Sequence, residues 1–131
     1  MKKDSLQNNM AKLLIIDDDQ ETGIYLQGFF TKRGCQVITI FNGEEGILSF
    51  KKHKPDLVLL DIKMPGINGL EVLKEIKAQE KRTSVVMFTV LGDDSTRKVA
   101  EELGADGFIR KPFNMNELEG TVSRMLSKLV T

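Results

Sequence analysis

Five short aliphatic runs punctuate this chain: Leu13–Ile16, Val37–Phe41, Leu57–Leu60, Val85–Phe88 and Phe108–Ile109. Each is apolar at consecutive rather than alternate positions, which suits a strand covered on both faces. Between the runs lie amphipathic stretches with readable ends. Thr22–Arg33 carries Leu26, Phe29 and Phe30 and stops at Gly34, with Asp19 placed to cap its start. Asn42 with Glu45, and Asn114 with Glu117, have the spacing of a capping box. Leu70, Leu73 and Ile76 mark a third helix. Val99, Ala100 and Leu103 mark a fourth, ending at Gly104, a residue suited to a left-handed cap. Leu118, Val122, Met125 and Leu129 recur at helical spacing in a fifth. Parallel neighbours need crossover helices, so this alternation predicts a doubly wound α/β fold, a parallel five-stranded sheet between two helix layers. The 131 residues suffice for one core, expected over 11–131 behind a polar tail at 1–10.

Charge and composition narrow the function. Lys plus Arg number 19 and Asp plus Glu number 19, so no global basic field exists to hold nucleic acid. No apolar run approaches the roughly 20 residues of a membrane span. The opening MKKDSLQNNM lacks the apolar segment of a secretory signal. Cys35 is the only cysteine, which rules out an internal disulfide and reads as a small buried thiol rather than a nucleophile. His53, the only histidine, reads as a solvated residue at a helix end rather than a ligand. Together these features predict a cytoplasmic protein.

In open parallel sheets the ligand site lies beyond the carboxyl ends of the strands. Asp17 and Asp18 follow the first run, Asp61 the third, Thr89 the fourth and Lys111 the fifth. Clustered carboxylates resist ionising together, so three aspartates in LLIIDDD make sense around a cation. A few carboxylate oxygens with open water positions suit Mg2+, with Mn2+ as the alternative. A carboxylate there can attack phosphorus and form an aspartyl phosphate. Lys and Thr would hold the equatorial oxygens, where transition-state charge gathers. Taken singly, each residue has an ordinary explanation, as Asp19 does in capping a helix. Their joint placement on one rim does not.

The stretches LLIIDDD, DLVLLDIKMPGINGLEVL, VVMFT and GADGFIRKPF resemble the bacterial response-regulator receiver domain, chemotaxis regulators included, from Lys12 to Leu129. The resemblance implies a flavodoxin-like three-layer sandwich with strand order 2-1-3-4-5. It implies that Asp61 is the phosphoacceptor and Asp18 a direct Mg2+ ligand, with Asp17 acting beside it partly through water. Asp61 itself and the backbone carbonyl of Lys63 complete that set. Thr89 and Phe108 correspond to the switch pair, and Lys111 to the phosphoryl-holding lysine, with the Lys111–Pro112 bond expected to be cis. Met64-Pro65-Gly66 and Gly69 shape the loop after Asp61.

The implied function is a phosphorylation-dependent switch of a two-component phosphorelay, not an enzyme turning over a separate substrate. Donors would be a sensor histidine kinase or a histidine phosphotransfer protein. The readout would be altered binding of an effector, or of a fused output domain outside these residues. It would act through the face built by the fourth helix, fifth strand and fifth helix, where a dimer would also form. Val90 stands where a small residue is commoner and Phe108 where Tyr is common, while Lys63 and Leu91 occupy variable flanking positions.

Three rivals remain in view. A haloacid-dehalogenase-type phosphatase also uses a strand-end Asp, and Asp17-Asp18-Asp19 contains its Asp-x-Asp. However, Glu21 stands where Thr or Val is expected, and Asp93-Asp94 precede Lys111 in the reverse of that family's order. A flavodoxin-like cofactor binder would offer Gly, Ser or Thr amides to phosphate, whereas the first loop here is DDDQE. A receiver that is never phosphorylated, serving only as a binding module, would not need the complete set Asp17, Asp18, Asp61, Thr89 and Lys111.

Overall fold

A computed structural model describes residues 11–90 and 94–128. The tail at 1–10, Leu91, Asp93, Leu129 and the side chain of Thr89 lie outside the described residues. In chain order the elements are β1 (Lys12–Ile16), α1 (Gln20–Thr31), β2 (Gln36–Ile40), α2 (Gly43–His53) and β3 (Leu57–Asp61). They continue with α3 (Gly69–Gln79), β4 (Ser84–Thr89), α4 (Asp94–Glu102), β5 (Gly107–Arg110) and α5 (Met115–Ser127). The sheet runs β2-β1-β3-β4-β5, parallel throughout.

Strand residues alternate between two cores, one on each face of the sheet. Leu13, Ile15, Leu59, Val86, Phe88 and Ile109 pack under Leu26 and Phe30 of α1 and Leu118, Val122 and Met125 of α5. Leu14, Ile16, Val58, Leu60, Val85 and Met87 pack under Phe50 of α2, Val72, Leu73 and Ile76 of α3, and Ala100 of α4. The central strands are therefore apolar at consecutive positions between their polar ends because both faces are dry. Burying one such side chain stabilises the fold by roughly 1.5–3 kcal/mol. The run Val37–Phe41 departs from this pattern: β2 is an edge strand, and its residues are only half-buried or exposed. It has a single strand neighbour, so consecutive apolarity overstated its burial.

Helix ends follow local chemistry. Asp19 accepts hydrogen bonds from the Glu21 amide and the Thr22 hydroxyl, so α1 starts two residues before Thr22. Asn42 and Asn114 accept from the amides of Glu45 and Glu117. Asn68, passed over in the sequence, does the same for Leu70 and Glu71 at the start of α3. Two helices close with the paired bonds of a Schellman motif. In α1 the Gly34 and Cys35 amides donate to Thr31 and Phe30, and in α4 those of Gly104 and Ala105 donate to Glu101 and Ala100. Gly34 and Gly104 have φ of 95° and 105°, where a side chain would be strained.

The amino-end rim of the sheet is fastened by partly buried and surface polar contacts. Lys77 donates to the carbonyls of Lys81 and Thr83 and to Asp106, which also accepts from the Val85 amide. Nearby, Asp56 accepts from the Lys12 amide, and the Lys12 ammonium donates to the carbonyl of His53, which is half-buried. Cys35 is buried, and burial pushes its thiol up to about 11, far from a reactive thiolate.

Candidate functional site

The opposite rim gathers the acidic residues. β1 and β3 are adjacent, so Asp17, one residue beyond β1, and Asp61, the last of β3, arrive side by side. The Asp17 amide donates to the Ile40 carbonyl, which carries the β1–β2 pairing one residue further and fixes the backbone there. Its carboxylate is fully buried: one oxygen accepts from the Asp19 amide at 2.9 Å and the other from the Lys111 ammonium at 2.7 Å. Lys111 also stands 3.6 Å from Asp61 Oδ1 and 5.8 Å from the centre of the Phe88 ring. Asp18, the next residue, is exposed.

One oxygen from each of Asp17, Asp18 and Asp61 lies within 4.8 Å of the others. Octahedral Mg2+, with oxygens at 2.0–2.1 Å, keeps any two ligands within about 4.2 Å, so a small closure of these side chains would suffice. Three carboxylates face one ammonium, which leaves negative charge for a divalent cation to neutralise. The donor set is hard oxygen throughout, as Mg2+ or Mn2+ prefers.

Burial, reinforced by the neighbouring Asp17 carboxylate and opposed by Lys111, raises the Asp61 carboxyl to about 7. An unfolded aspartate titrates near ~3.9. Between those values the folded protein keeps a proton that the unfolded chain has released, so stability falls as pH rises from about 4 to about 7. The full gap corresponds to at most about 4 kcal/mol. Metal-free protein is therefore expected to melt lower at pH 7.5 than at pH 5, with Asp61→Asn flattening the profile and Mg2+ restoring Tm at the higher pH. A wild-type Tm that rises across this window, or an identical slope in Asp61→Asn, would assign the buried charge elsewhere.

The loop after β3 keeps Asp61 in place. Ile62 and Met64 are buried, Lys63 between them is exposed, and Gly66 turns the chain with φ 77°. Gly69 opens α3 against the Asp61 backbone, where a Cβ would fall 2.2 Å from the Asp61 carbonyl oxygen. No side chain fits in that gap. The Gly69 amide donates to the Ile62 carbonyl.

Thr89 closes β4, its backbone opposite Arg110 of β5. Val90 follows it and is 56% exposed. The Lys111–Pro112 peptide is cis. Phe108 lies on the α4 side of the sheet, half-buried, one residue before the buried Ile109. The guanidinium of Arg97 sits over its ring at 4.8 Å from the centre. Sequence reading passed over Arg97, because nothing in the spacing ties α4 to a ring eleven residues later. Asn68 was legible, since Asn68 and Glu71 repeat the spacing of the other two capped starts.

The sequence profile of the response regulator receiver domain matches residues 13–123. The probable transcriptional regulator ycf27 of Pyropia yezoensis is 37% identical over 123 residues, which cover 94% of this chain and 50% of that protein. Sporulation initiation phosphotransferase F of Bacillus subtilis is 36% identical over 115 residues, 88% of this chain and 93% of its own length. The chain thus spans about half the length of the transcriptional regulators it matches and nearly all of the phosphotransferase. Among solved structures, a two-component response regulator from Clostridium difficile superposes with a TM-score of 0.89 at 28% identity, over 93% of this chain and all of that one. Chemotaxis protein CheY4 of Vibrio cholerae gives 0.84 at 29% identity, over 88% and 98%. With the profile reaching from β1 into α5, the chain belongs to the response-regulator receiver domains of two-component systems.

Proposed function

We propose that Asp61 accepts a phosphoryl group from a phosphohistidine and that the resulting charge changes the partner affinity of the α4–β5–α5 face. The observation carrying this reading is the Lys111 ammonium poised between Asp17 and Asp61 at a rim with surplus negative charge. In the transfer, an Asp61 carboxylate oxygen bonds to phosphorus as the phosphorus–nitrogen bond to the donor imidazole breaks; the bond's electron pair stays on the imidazole nitrogen, and the imidazole takes a proton from water. Lys111 needs only to turn from Asp61 toward the arriving oxygens to meet their charge. Bound Mg2+, held by Asp17, Asp18, Asp61 and the Lys63 carbonyl, would supply charge neutralisation at those oxygens, as Mn2+ would. The Thr89 hydroxyl is assigned to the phosphoryl group, and Phe108 to the ring that changes setting when Thr89 engages. Hydrolysis of the acyl phosphate is the only turnover in this scheme.

Residues 11–131 form the receiver unit in this reading. The donor is a sensor histidine kinase or a phosphotransfer protein, which places the chain in the cytoplasm. The output is a separate effector or a domain fused beyond these residues. A dimer through α4–β5–α5 is one form the output could take.

Incubation with acetyl phosphate and Mg2+ tests the reading. A mass gain of one phosphoryl group that hydroxylamine removes is expected, and its absence would overturn the proposal. In the metal arm, Asp18→Asn should weaken Mg2+ by at least about tenfold while leaving the circular dichroism unchanged, because affinity follows the charge count of the ligands. Equal Mg2+ titrations of Asp18→Asn and wild type would remove Asp18 from the ligand set.

A further inference from the structure

The α4 helix is the most lightly anchored of the five. Ala100 is its one buried residue among those described, whereas α3 and α5 each bury several. Its side-chain link to β5 is made at the surface, where the Arg97 guanidinium covers the Phe108 ring. Arg97 is held in that pose by Glu101 one turn on, with Nε 3.4 Å from Oε2. Both members of this ion pair are more than half exposed, so the charge stays in water while the planar group rests on the ring. Such a contact is a cation–π stack at ordinary distance.

We propose that Arg97 is a positioning residue that holds Phe108 in its half-exposed setting and so keeps the unphosphorylated protein in the resting arrangement. The inference rests on the switch role given to Phe108 above. The ring already packs against the apolar cluster of Met87 and Ala100, beside Leu103, while part of it stays exposed; turning further inward would bury that remaining part among them. A guanidinium cannot follow it there without losing its hydration and its Glu101 partner. The stack therefore exists in one setting only, and a contact made in one state alone biases the equilibrium toward that state. At an exposed site the bias is about two- to fivefold. Phe108 lacks a hydroxyl that could anchor the ring outward by hydrogen bonding, so the cation takes that part.

The test uses the full chain labelled with 13C on its phenylalanine rings. In the unphosphorylated state, Arg97→Ala should shift the Phe108 ring resonances toward their phosphorylated positions, raising the minor population about two- to fivefold. Arg97→Lys, which keeps the cation but not the plane, should restore part of the wild-type position. In wild type the Arg97 Hδ protons should show an upfield ring-current shift that disappears in Phe108→Leu. Every Arg97 variant should still form the acyl phosphate at Asp61, with a yield in Arg97→Ala no lower than in wild type, since the coupling is reciprocal. Ring resonances unmoved in Arg97→Ala, or an Arg97→Lys spectrum identical to that of Arg97→Ala, would overturn the proposal. Should wild type fail to form the acyl phosphate, the switch reading falls, yet the ring-current shift would still report whether Arg97 holds the ring.

Discussion

Asp61→Asn is expected to abolish acyl-phosphate formation, a loss of more than about a thousandfold in a chain that remains folded. An amide carries no negative charge and its oxygen is a poor nucleophile toward phosphorus, so no slower version of the same reaction remains. The substitution should also stabilise the metal-free protein at neutral pH. Asp61 is 4% exposed beside the fully buried Asp17, and a neutral amide of the same shape removes the penalty that pushes its carboxyl to about 7. Loss of modification together with a gain in Tm is a pairing that general damage to the fold does not produce. Intact-mass spectrometry after acetyl phosphate treatment reads the first effect and calorimetry at pH 7.5 the second. Phosphorylation that persists at the wild-type rate would mean that another aspartate of the cluster is the acceptor.

Lys111→Met should also slow modification, but with the opposite effect on stability. The ammonium is 2.7 Å from Asp17, whose carboxylate has no exposure to water. Removing one partner of a buried pair costs about 3–5 kcal/mol when the remaining charge cannot adjust. Lys111 is itself 17% exposed at the rim, where water can reach the space it leaves, so about 2–3 kcal/mol is expected, or a fall of roughly 10 °C in Tm without divalent cation. Mg2+ should recover most of that loss and bind at least as tightly as to wild type, since a repelling charge has gone. Phosphorylation, in contrast, should slow by about a hundredfold, the usual cost of deleting one stabilising group at a developing oxyanion. A Lys111→Met protein that no longer binds Mg2+ would show the lysine to be part of the metal site's architecture, contrary to the assignment made here.

The sheet and its layers were legible because burial on both faces imposes consecutive apolar residues, and four of the five runs have at least one fully buried member. β2 was over-read for the same reason: half-burial under α1 and α2 also selects for apolar side chains, and a linear sequence does not mark which strand lies at an edge. The acidic site was legible through position. Asp17, Asp18, Asp61 and Lys111 each follow an aliphatic run, and parallel winding brings such ends to one rim. What escaped notice were contacts between side chains far apart in sequence. Lys77 with Asp106 and Arg97 with Phe108 depend on how α3 and α4 lie across the sheet, and no spacing rule encodes that.

The Lys77–Asp106 clasp has a consequence of leverage. It moors the turn that follows α4 to the start of β4 and the end of α3, at the rim away from Asp61. With that end tethered, α4 can move chiefly by swinging about it, and displacement then grows toward its first residue, Asp94. For nine residues, about 13 Å of helix, a tilt of about 10° carries the free end by about 2 Å while the moored end scarcely moves. A partner that grips the first turn of α4 would feel the full stroke, whereas one gripping Glu101 or Glu102 would feel little. If α4 moves as the proposed output requires, the clasp would be its fulcrum, and the first turn would be the end that carries the message.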